Sequence, residues 1–161
     1  MHRLHIIEDK IIDWMAVNGI YLLRISVGII FFWFGFQKFF PGISSAEDIA
    51  TRTIDVLSFG IVRAPYSMPI LATWETLIGL GFLTGKFLRV TIVLLYLQMS
   101  GTIFPLFVFP DETFYMVPFV PTIEGQYILK NIILITAAMV ILAWDQGRII
   151  SKRKSKEGLK N

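Results

Sequence analysis

The chain has no cysteine among its 161 residues. That excludes disulfides, thiolate catalysis and cysteine-ligated metal or iron–sulfur centres. It has two histidines, His2 and His5, both close to the N-terminus. With no third histidine to complete a ligand set, the pair reads as part of a frayed polar terminus, and no metal site is expected. The apolar stretches therefore offer no haem-ligand histidine, and no flavin-binding glycine fingerprint is present. Charge is also scarce. The formal net charge is +3, and much of the basic character sits in one tail. A nucleic-acid binder would present a basic face on a soluble fold, and none is visible.

What the chain has in abundance is apolar side chains. The hydrophobic share is 55 % and the mean hydropathy is +0.65, above the range of an ordinary soluble domain. The run from Tyr21 to Pro41, counted on from Gly19, is about twenty residues long, enough to cross a bilayer core of about 30 Å. It is too long for a signal peptide, and bulky Phe39-Phe40-Pro41 stands where a small-residue cleavage site would be, so it reads as a retained anchor. The expected architecture is an all-α membrane protein: a four-transmembrane-helix bundle in one domain. Its spans cover about 19–40, 69–84, 88–109 and 127–144. The first helix should begin between Ile12 and Gly19 and end at Phe40, before Pro41-Gly42. Gly79, Gly81 and Gly85 permit close helix approach in the second span. Pro105 removes the helical donor of the Gly101 carbonyl and predicts a kink in the third.

Between the first two spans, residues 45–62 predict an amphipathic interfacial helix. Ser44 and Glu47 have capping-box spacing, and Ala50, Ile54, Leu57 and Ile61 share one face. Residues 110–126 read as a loop rich in proline and aromatics, and 146–161 as a basic tail. Ten Lys and Arg fall at the N-terminus, in the Gly85–Arg89 turn and in the tail. Only Arg52 and Arg63 lie on the other side. The positive-inside rule then places both termini in the cytoplasm, and the tail reads as a topology determinant and a contact for anionic lipid. Trp14 and Trp144 suit the cytoplasmic interfacial belt, while Trp33 and Trp74 sit deeper and suit the interior.

Charges inside spans are costly, so each needs a partner. At a rise of about 1.5 Å per residue, Glu75 lies about 15 Å above the Gly85 turn and Arg24 between about 8 and 15 Å. Gln98 lies about 13 Å above Arg89. An intramembrane polar core of Arg24, Glu75 and Gln98 is therefore expected, with an Arg24–Glu75 ion pair. It reads either as a lock between helices or as a proton or ligand site. A second set, Gln37, Lys38, Tyr127, Lys130 and Asn131, lies nearer the outside. Lys38 taken alone reads as a snorkelling residue; with the others it reads as the mouth of a pocket. Its two lysines require an anion between them, from Glu124, Asp111, Glu112 or a bound anionic or quinone-like ligand.

Three stretches, LLRISVGIIFFWFGFQKFFPG, WETLIGLGFLTG with the basic turn after it, and GQYILKNIILITAA, resemble the YkgB/RclC-type inner membrane proteins of the wider DoxX-like group. The likeness runs from about Gly19 to Ala143. It rests on the arginine early in helix one, the G-x-x-K-F end of that helix, the glutamate before glycines in helix two and the lysine opening helix four. It implies a bacterial inner membrane protein associated with redox and reactive-chlorine stress, at most a quinone-linked oxidoreductase subunit. Quinone is the cofactor it implies. The partners implied are the lipid bilayer and a redox protein or a second copy of the chain, with no nucleic acid. The competing expectation is a non-catalytic scaffold or assembly factor; a transporter is disfavoured by the small number of spans and the lack of a convincing inverted repeat.

Overall fold

The computed structural model describes residues 2–44 and 46–148; most of the basic tail lies outside them. The chain forms α1 (His2–Gln37), α2 (Glu47–Leu57), α3 (Ser67–Thr84), α4 (Leu88–Ile103), α5 (Pro105–Val108), α6 (Pro110–Thr113), a two-stranded ribbon of β1 (Phe114–Met116) and β2 (Val120–Pro121), and α7 (Ile123–Asp145). Four long helices close a bundle in which α1 lies against α3 and α7, and α4 also lies against α3 and α7. Three of them are long and apolar enough to cross a membrane: His5–Gln37, Leu88–Val108 and Ile123–Asp145. Helix α3 is shorter and carries Glu75.

One core runs through all four. Val27 and Phe31 of α1 meet Ile78 and Phe82 of α3, Ile92 and Leu95 of α4, and Ala138 and Ile141 of α7. The outer faces are apolar too. Ile29, Trp33, Leu77, Val93, Ile133 and Met139 are all exposed. In water such a surface would aggregate; in hydrocarbon it is the expected solvent-facing side.

Glycine sets the distance between α1 and α3. A Cβ on Gly35 would come within 2.7 Å of the Thr76 backbone nitrogen, and one on Gly28 within 2.9 Å of that of Leu83. A Cβ on Gly79 would collide with the Phe32 backbone. Glycine on one helix therefore meets backbone on the other along the pair, the small-residue packing that brings membrane helices together. Gly85 ends α3 in the left-handed region at φ 70° and donates to the Gly81 carbonyl, a conformation that glycine adopts without a Cβ penalty.

Several boundaries differ from expectation. Helix α1 starts at His2 rather than after Ile12: no proline or glycine interrupts residues 2–18, so the polar turns continue the helix instead of fraying. At its other end i→i+3 bonds from Lys38, Phe39 and Phe40 wind it down. Ser44 makes no side-chain cap on α2; instead Glu47 accepts from the Gly42 N–H at 2.8 Å. Helix α2 packs on the bundle through a face other than that of Ala50, Ile54, Leu57 and Ile61. It buries Ile49 and Thr53 and leaves Leu57 and Ile61 exposed. Thr53 tolerates burial because its hydroxyl donates to the Ile49 carbonyl at 2.6 Å. Pro105 does break the third span, and the Gly101 carbonyl accepts from Phe104 N–H instead. Part of the expected 110–126 loop is the ribbon, and α7 begins four residues early because the Thr122 hydroxyl accepts from Gly125 N–H at 3.2 Å. Trp33 faces outward, not inward, whereas Trp74 is partly buried and donates to the Leu94 carbonyl at 3.1 Å.

Gly79→Ala must push α1 off α3. We expect a loss of about 1–3 kcal/mol or more, since backbone rather than a flexible side chain opposes the methyl. Gly19→Ala, with nothing within 4 Å of the added Cβ, should be neutral or gain about 0.5–1 kcal/mol from helix propensity. Thermal melts in detergent separate the two.

Candidate functional site

The glycine-set register decides which polar groups meet. With Gly28 at Leu83, Phe32 at Gly79 and Gly35 at Thr76, antiparallel α1 carries its last residues up to Glu75. Lys38 lies one residue past the end of α1, and its ammonium donates to Glu75 Oε2 at 2.6 Å. Gln98 of α4 donates from Nε2 to Glu75 Oε1 at 2.6 Å. Both carboxylate oxygens are thereby engaged, and the side chains of Lys38 and Glu75 are 13 % and 10 % exposed. Lys38 also reaches the Phe34 carbonyl at 3.4 Å. Gln98 Oε1 is buried and has no donor among the described residues. The same turn carries Phe39 and Phe40, which pack edge-on to Phe36, and Phe36 stacks on Phe32. The rings of Phe36, Phe39 and Phe40 are exposed at their outer sides.

The expected Arg24–Glu75 pair does not form. The same register sets Arg24 level with the C-terminal end of α3, where Nη1 donates to the Phe82 carbonyl at 2.7 Å. Seven residues separate Phe82 from Glu75, about 10 Å along the helix. The guanidinium fills the space that glycine leaves open at Gly85 and lies over the Tyr21 ring at 5.1 Å. A cation among the last carbonyls of a helix answers both their unpaired lone pairs and the helix dipole. Arg24 is thus a cap for α3, and Lys38 is the partner of Glu75.

The expected outer mouth is also divided. Lys38 and Gln37 stay with α1. Tyr127 and Lys130 are exposed on α7, with the ammonium over the phenol ring at 5.3 Å. Asn131 is partly buried on the same helix. No hydrogen bond or ion pair joins Lys38 to these α7 residues among the described residues. The anion beside Lys38 is Glu75, not Glu124, Asp111 or Glu112.

Glu112 has another partner. Arg52 of α2 grips it with two hydrogen bonds, Nη1 to Oε1 at 2.7 Å and Nη2 to Oε2. Nη2 also meets Asp48 at 2.7 Å, and the guanidinium lies over Phe109 at 4.9 Å. This strap fastens α2 to the segment after the third span. Hydrogen bonding from Arg52 holds the Glu112 carboxyl below the usual glutamate range, against a smaller opposing effect of burial, and the same bond raises Arg52.

The DoxX family model matches residues 19–109, more than half of the chain. The chain belongs to the DoxX family. No curated protein and no solved structure matches it. In this DoxX chain the matched region holds Arg24, Lys38, Glu75 and Gln98, and stops before Tyr127, Lys130 and Asn131.

Two outcomes test the site's geometry. Lys38→Met leaves a buried carboxylate uncompensated and should cost about 3–5 kcal/mol. Lys38→Met combined with Glu75→Leu should cost less than the two single changes together, whereas Arg24→Met should add to Glu75→Leu without coupling. Reversible unfolding in detergent gives the cycle. The strap responds to pH. A carboxyl held low in the folded state contributes stability above its unfolded pKa and loses it as pH falls through the folded one. Protection factors of the amides in residues 110–122, taken relative to intrinsic exchange at each pH, should therefore fall as the pH drops below the usual glutamate range, and Arg52→Ala should remove most of that fall.

Proposed function

We propose that this DoxX protein binds a quinone, or another small ring ligand drawn from the membrane, at the Lys38–Glu75–Gln98 notch. It is a four-span protein of a bacterial inner membrane with both termini cytoplasmic: α3 supplies the fourth wall of the bundle, and the excess of Lys and Arg at one end orients it. The observation that carries the reading is Gln98 Oε1. A buried acceptor without a donor costs about 1–3 kcal/mol, and here it adjoins a buried ion pair beside half-exposed phenyl rings. A ring ligand stacks on Phe36 and Phe40; in the reduced, quinol form one hydroxyl donates to Gln98 Oε1 and the oxygen of a hydroxyl accepts from the remaining N–H of Lys38, whereas the oxidised quinone takes the Lys38 bond alone. The chain's residues bind and orient. With no cysteine in the chain and its two histidines, His2 and His5, at the N-terminus away from the notch, electrons come from a partner protein, and the protein serves as a quinone-linked subunit in oxidant or reactive-chlorine stress.

A second reading, as a scaffold for other membrane proteins, draws on the first half of α1. Ile7, Ile11, Trp14 and Met15 are exposed there, clear of the bundle, whose core α1 joins from Ile20 onward.

Melting in nanodiscs with short-chain ubiquinone and menaquinone analogues tests the first reading. At about a hundred times the dissociation constant a ligand stabilises by about 2.7 kcal/mol, a rise of several degrees. Gln98→Leu, which keeps the ion pair, should shrink that rise. An unchanged melting temperature with every analogue overturns quinone binding. Recovery of a polypeptide cross-linked through a photoreactive residue at position 11 in native membranes supports the scaffold.

A further inference from the structure

The ribbon between α6 and α7 has no part in the notch. From Phe114 to Val120 it reads FYMVPFV, seven residues without a charge. Its tip is turned outward: Tyr115 is 78 % exposed and Phe119 80 %. Its base is pinned. Phe114 pairs with Pro121 across the ribbon, the Thr122 hydroxyl donates to the Glu112 carbonyl at 2.7 Å, Thr122 N–H donates to the Thr113 carbonyl at 2.9 Å, and Glu112 is held by Arg52. An apolar tip on a fixed base does not fold back to cover itself.

We infer that this tip is a wedge that enters the leaflet at the α7-start end of the bundle, its occupant being lipid. Three observations favour lipid. The ribbon connects the outer end of the third span to α7, so it stands where hydrocarbon meets water. Its apolar surface runs on without a charged break into exposed Ile123, the first residue of α7, itself long and apolar enough to span. The charges nearest in sequence, Asp111, Glu112 and Glu124, are acidic and lie at the base, so the tip fits hydrocarbon under zwitterionic headgroups rather than an anionic surface. Tyr115 at that depth suits the usual aromatic belt, and Phe119, with no polar tip, suits the hydrocarbon below it.

The absence of native cysteine makes the test direct. Phe119→Cys, Tyr115→Cys and Asp111→Cys are each spin-labelled in the full chain, in phosphatidylcholine nanodiscs. Collisions with oxygen, which concentrates in lipid, are compared with those of a neutral nickel chelate, which stays in water. Positions 119 and 115 should favour oxygen, with a ratio several-fold above that at 111. Nickel-dominated collisions at 119 and 115 place the tip in water and overturn the inference. So does low access to both reagents, which places it against a polypeptide. Each labelled protein is required to melt as the parent does, and positions 119 and 115 report independently. The outcome is separate from quinone binding.

Discussion

Backbone contact between α1 and α3 is the constraint on which the polar architecture depends. Gly28, Gly35 and Gly79 let the helices approach until no side chain separates them. At that distance the register has no slack: a slide by one turn would drive Leu83 or Phe32 into the opposing backbone. The register in turn determines the charges' partners. It delivers Lys38 to Glu75 and holds Arg24 about 10 Å away, at the other end of the contact. The order of causes runs from packing to electrostatics. Small residues set the geometry, and the ion pair forms where the geometry permits.

Each buried cation is answered differently, and the difference follows from where its helix neighbour ends. Arg24 lies beside the last carbonyls of α3, which already carry unpaired lone pairs and partial negative charge. A carboxylate there is unnecessary. Lys38 lies beside the middle of α3, where every backbone carbonyl is used in the helix, so only a side-chain anion can compensate it. Glu75 takes that position, and Gln98 satisfies its second oxygen. The remaining amide oxygen of Gln98 is what the arrangement leaves over.

The helices, the break at Pro105 and the polar character of Glu75 and Gln98 were legible in the sequence, because hydropathy, proline chemistry and the rarity of intramembrane charge all act locally. The choice between Arg24 and Lys38 was not. Depth estimates counted from a helix start between Ile12 and Gly19, whereas α1 begins at His2, and the start carries no information about register in any case. The signal that bears on it was the seven-residue spacing of Gly28 and Gly35 on one face of α1, with Gly79 of α3 falling opposite Phe32 between them. Which residues of α2 pack on the bundle was likewise not legible. A hydroxyl that bonds within its own helix, as Thr53 does, is cheap to bury and looks polar only on paper.

The end of α1 has a structural consequence of its own. Glu75 lies close to the midpoint of α3, and α1 stops at Gln37, just short of Lys38, the residue that reaches it. Beyond that level the wall beside α3 passes from a continuous helix to the Lys38–Phe40 turn and then to α2, which packs on α3 and α4. The ion pair therefore sits at a discontinuity in the bundle rather than inside an unbroken layer of helices. A polar centre enclosed by four full-length helices would be reached only by unpacking one of them. Here the adjoining element is a turn bearing exposed phenyl rings. That position is the ground on which we propose a ligand-binding role for this pair rather than a purely structural lock. A lock gains from burial at the centre of a layer, whereas this pair stands where the layer opens.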